Sequence, residues 1–68
     1  MDIETIKAVM IEDLNEALDD WYSAHEANDD KLALEFRAVY YSKVDLYEKL
    51  FEGEFVYYRD RKVYIEKE

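Results

Sequence analysis

The chain has 68 residues, with 18 Asp and Glu against 9 Lys and Arg, a formal net charge of −9, one histidine and no cysteine or proline. One domain spanning 1–68 is all this length allows, and a chain so short buries only about 60% of the surface it exposes when unfolded. Disulfides are excluded and a structural zinc nearly so, which leaves a partner subunit as the expected staple; the negative charge argues against direct binding of nucleic acid or of an anionic membrane.

Half of the residues are hydrophobic and seven are tyrosine, a composition that folds despite 40% charge. The acidic start MDIETIK and the absence of a long apolar run predict no signal peptide and no membrane helix, so the expectation is a soluble, cytoplasmic protein. The charge is lopsided. Residues 1–30 carry ten acids and one base, Lys7, whereas residues 31–68 carry eight of each.

From Asp2 onward, Ile3, Ile6, Met10, Leu14, Ala17, Trp21 and Ala24 recur at steps of three and four, predicting a helix over about 2–27. Asn28, Asp29 and Asp30 suit a turn that caps a following helix. That second helix, about 31–52, has the apolar set Leu32, Phe36, Val39, Tyr40, Val44, Leu46, Tyr47, Leu50 and Phe51, and is expected to stop at a left-handed Gly53. So short a connection makes the helices antiparallel. The segment from 54 to 66 alternates as a β-hairpin, Phe55–Tyr58 and Val63–Ile65, turning near Asp60 and placing Val56, Tyr58, Val63 and Ile65 on the packed face. The predicted fold class is α+β, mainly α: an antiparallel helical hairpin followed by a short β-hairpin, dimerising into a four-helix arrangement.

Two features point to function. On the outer side of the first helix and the turn after it stand Glu12, Asp13, Glu16, Asp19, Asp20, Glu26, Asp29 and Asp30, with no base between residues 11 and 30. A solvated helix face accounts for much of this. Yet Glu12/Glu16 and Glu16/Asp20 are like-charge pairs at i,i+4, which cost a few tenths of a kcal/mol where Glu–Lys pairs would have helped. Counted together, the eight acids fall at about one per 3.7 Å of helix axis, close to the 3.4 Å charge spacing of a single DNA strand.

The second feature is surplus apolar surface: a side stripe of Ile11, Leu18, Tyr22 and His25 on the first helix, and a sector of about 160° on the second, where one facing helix covers about 100°. The β-hairpin, a second copy of the chain or a different partner protein must cover it. Candidate interface residues are Ile11, Leu18, Tyr22, Tyr40, Tyr47, Phe51, Phe55 and Tyr57, because tyrosine and phenylalanine are enriched at interfaces. Lys43, amid the apolar sector, must snorkel or pair with a carboxylate.

Catalysis is not expected. Ser23, Ser42 and Thr5 lack a placed base, since His25 lies two residues from Ser23 and points elsewhere on a helix. No glycine-rich phosphate loop, metal-ligand spacing or calcium loop is present, so no cofactor and no metal are expected. The expected function is a small acidic interaction protein that binds a basic surface of another protein, in its most concrete form an inhibitor that mimics nucleic acid toward a nucleic-acid-binding protein, a role that a mobile-element protein of this size could fill. The alternative is an assembly or adaptor subunit that binds through the tyrosine-rich apolar surface, its acids serving only solubility.

Overall fold

A computed structural model describes residues 2–68. Two α-helices, α1 (Ile3–Glu26) and α2 (Asp30–Leu50), are followed by strands β1 (Glu54–Arg59) and β2 (Lys62–Lys67), which pair antiparallel as a two-stranded sheet. This is the expected helical hairpin and β-hairpin in chain order. No helix among the described residues is long and apolar enough to cross a membrane.

Local chemistry accounts for each boundary. The Asp2 carboxylate accepts the Thr5 N–H at 2.8 Å and caps α1. At the far end Asn28 takes a left-handed φ of 59°. Its N–H donates to the His25 carbonyl, and that of Asp29 donates to the Ala24 carbonyl. Together these bonds form a Schellman stop. Asp29 then caps α2 through the Leu32 N–H at 3.1 Å. Two adjacent residues thus end one helix and start the next, forcing the antiparallel return.

α2 ends at Leu50, short of the expected residue 52, because Phe51 is the cap residue and has left helical geometry. Gly53, at φ 83°, belongs to the link into β1 rather than to the helix stop itself. The strands are also longer than expected at both ends. Asp60 and Arg61, both at positive φ (52° and 67°), make a two-residue turn of the primed kind that matches strand twist. The turn falls at Asp60 as expected, although it lacks the Asn-Gly that such turns favour.

The hairpin lies across the helix pair, β2 against α1 and β1 against α2. Register pairs Val56 with Ile65 and Tyr58 with Val63, putting those four side chains on the inner face as expected. The core consists of Leu14, Ala17, Leu18, Tyr40, Val44, Tyr47 and Val63, closed over by Met10, Ile11, Trp21, Tyr22, Phe51 and the remaining hairpin residues. Side chains also cap the strand edges: Asn15 Oδ1 accepts the Val63 N–H and Glu48 Oε2 accepts the Val56 N–H, both at 2.9 Å. Edge donors satisfied in this way offer less of a template to another strand.

Candidate functional site: the outer ridge of α1

The outward side of α1 is flanked by α2 on one side and by the β-hairpin on the other, and a cation reaches onto it from each. From the hairpin turn, Arg61 donates to Asp19 and to Glu26, each at 2.7 Å, and to the Ser23 hydroxyl at 3.2 Å. Its guanidinium also lies over the Tyr22 ring, 5.4 Å from the centroid. The two carboxylates hold the Arg61 guanidinium above its usual pKa. From α2, Lys43 donates to Asp13. Lys43 therefore pairs with a carboxylate of the first helix, one of the two outcomes expected for it.

The relief for like charges that is missing within α1 is thus supplied in part from outside it. Among the described residues Glu12, Glu16, Asp20, Asp29 and Asp30 make no ion pair, and Asp29 is engaged as a helix cap. Glu12, Glu16 and Asp20 follow one another at i,i+4, about 6 Å per step. The unpaired charges are therefore sparser than the 3.4 Å spacing of a DNA strand. The ridge is a charged rail, and the density obtained by counting all eight acids overstates it.

Burial divides the apolar candidates. Leu18, Tyr40 and Tyr47 lie inside the chain's own core, Leu18 and Tyr47 with no exposed surface. These three are core rather than interface, because both helices turn them into one cluster that the hairpin, one of the covers expected, closes through Val63. Ile11, Tyr22 and Phe51 pack against that core as half-buried neighbours. Phe55 and Tyr57 stay open on the outer face of the hairpin, where Tyr57 stacks on Tyr64 with centroids 5.5 Å apart. His25 is exposed and lines a shallow aromatic hollow with Trp21, Tyr22 and Tyr58.

Of two further features, nothing local in the sequence marks the first. It is a polar staple at the open end of the helix pair, where Glu54 accepts from Lys7 and, at 2.8 Å, from the Tyr47 hydroxyl. These bonds hold the Glu54 carboxyl below its usual pKa, Lys7 contributing most. The other is an exposed apolar stripe on α2, with Leu46 and Leu50 both more than half exposed and Val39 close behind. It is the part of the wide apolar sector expected on α2 that neither α1 nor the hairpin covers. No three His, Asp or Glu side chains among the described residues converge to hold a metal ion.

Replacing Arg61 tests the clamp on the ridge. Arg61→Ala should lower the thermal midpoint by a few degrees in dilute buffer and by less in 1 M salt, since exposed ion pairs are screened. Arg61→Gly should recover part of the loss because the position has φ 67°. Equal midpoints for the wild type and Arg61→Ala at low salt would show that the clamp contributes nothing.

Comparison with protein-family models, with curated proteins and with solved structures finds no match for this chain.

Proposed function

We propose that this is a small acidic, non-enzymatic interaction protein that pairs with a second copy and presents the outer ridge of α1 to a basic surface on another protein. Occupying a nucleic-acid-binding site on that partner, and so blocking it, is the most concrete form of this function. The observation that carries it is the row Glu12, Glu16 and Asp20 at i,i+4 along α1, the first two exposed and Asp20 half-buried beside α2, whose charges no described cation neutralises. These three acids of α1 hold a field of one sign over about 12 Å of its axis, enough to steer an oppositely charged surface toward it.

The pairing has separate support. A 68-residue chain has a small core, and α2 leaves an apolar stripe uncovered that would bury well in a four-helix arrangement. A second functional reading, an adaptor led by apolar contacts, is supported by the exposed Phe55 and Tyr57 on the hairpin.

Salt separates the two. The test captures a basic, nucleic-acid-binding protein on the immobilised chain, measures release between 50 mM and 500 mM salt, and asks whether the captured protein loses its nucleic acid. The variant Glu12→Gln, Glu16→Gln, Asp20→Asn spares Asp13, Asp19 and Glu26, which are engaged in ion pairs within the fold. Release by salt, displacement of the nucleic acid and at least tenfold weaker capture by the variant are expected. Capture that survives both salt and substitution would overturn the charged ridge and favour the adaptor.

A further inference from the structure

Leu32, Phe36, Val39, Lys43, Leu46 and Leu50 follow one another at steps of four, three, four, three and four along α2. That is the a/d spacing of a helix packed lengthwise on another helix. None of the six is buried, and Leu32, Val39, Leu46 and Leu50 are open. In the same lettering Ala33, Tyr40 and Tyr47 are e positions, and these three point into the chain's own core. α2 therefore uses one face for its own fold and keeps a second, regularly spaced seam.

We propose that this seam is filled by α2 of a second copy running antiparallel, about a two-fold axis level with Tyr41. The proposal rests on the dimer proposed above and adds its surface, orientation and register. The spacing of the seam reads the same in reverse. Antiparallel, Leu32 meets the partner's Leu50, Phe36 meets the partner's Leu46 and Val39 meets the partner's Lys43, and the two-fold axis repeats each layer. Every layer then joins an a position to a d position.

The charges flanking the seam select the same orientation. The g positions, on the side away from the core, are Glu35, Ser42 and Lys49. In an antiparallel pair g faces g, so Glu35 meets the partner's Lys49 at both ends and the two Ser42 residues meet at the axis. Lys49 bonds Asp45 of its own helix at 2.9 Å, an exposed pair at i,i+4 that is easily shared. A parallel pair would set the two Lys43 ammonium groups in one layer, like charge against like, and would face Glu35 and Lys49 toward e positions already used by the core. In the antiparallel pair each Lys43 keeps its bond to Asp13. A single lysine at an a position is a device that fixes register at some cost in stability.

The test uses the full chain. Sedimentation equilibrium should show a dimer whose dissociation constant rises several-fold in Glu35→Lys and in Lys49→Glu, both exposed sites, and returns toward the wild-type value when the two are combined. Nitroxide labels on Ser42→Cys should lie close together across the dimer, whereas labels on Lys31→Cys should sit about 30 Å apart along the axis. The chain has no cysteine of its own to confuse the labelling. A monomer at every concentration would overturn the seam and the dimer together. A dimer with close Lys31→Cys labels, or one indifferent to the charge swap, would overturn the seam and register alone.

Discussion

Leu18→Ala is expected to cost about 2–5 kcal/mol, the range for truncating a fully buried leucine, with the higher end reached where the surroundings cannot collapse into the cavity. Leu18 has no exposed surface and sits where α1, α2 and the hairpin converge. A domain of this size has a total stability of about 3–10 kcal/mol. The substitution should therefore leave a large unfolded fraction at 25 °C or lower the urea midpoint severely. The control is Leu34→Ala, where the leucine is 65% exposed; away from core features such a change stays within about 0.5 kcal/mol. Urea titrations at one fixed protein concentration compare the two, since pairing of subunits would make stability concentration-dependent. Equal midpoints for the two variants would contradict the placement of the core.

At alkaline pH the fold should fail between about pH 10 and 12. Burial raises the Tyr40 hydroxyl from 10.0 to about 12, with the neighbouring Tyr41, Tyr58 and Glu48 adding to it. Burial also raises Tyr47 to about 12, helped by its hydrogen bond to Glu54. For both groups the folded value lies above the unfolded one, so the unfolded chain loses its protons first. The stability they contribute is complete below pH 10 and is lost as pH climbs through 12. Absorbance at 295 nm should report their ionisation together with the loss of helical circular dichroism. Tyr47→Phe removes one titrating group and should move the alkaline midpoint upward, even though the Glu54 bond is lost. An unmoved or lower midpoint would show that tyrosine ionisation is not what drives the transition.

The two tyrosines also show where reading the chain stops short. Tyr40 and Tyr47 belong to the apolar set of α2 by spacing alone, and tyrosine is common both in cores and at interfaces. Nothing local separates the two roles. The hairpin decides it by covering one face of the helix pair and leaving the Leu46 and Leu50 side open. The acidic ridge behaves similarly. Its position opposite the core was legible from period, but Arg61 lies 42 residues from Asp19 and Lys43 lies 30 from Asp13. Pairing over such separations exists only once the chain has folded back on itself.

What the amino-acid order determined by itself is everything that depends on near neighbours. The helices follow from the three-and-four spacing of their apolar residues, their junction from Asn28 and Asp29, and the hairpin from the alternation that places Val56, Tyr58, Val63 and Ile65 inward. These rest on backbone periods and on capping bonds that span three to five residues, so a local reading finds them. Tertiary structure alone decided which of two apolar faces of α2 became core, which carboxylates gained a cation and which edge donors were capped by Asn15 and Glu48. Each of those outcomes depends on which element lands on which face, and burial and charge pairing respond to distance in space rather than along the chain.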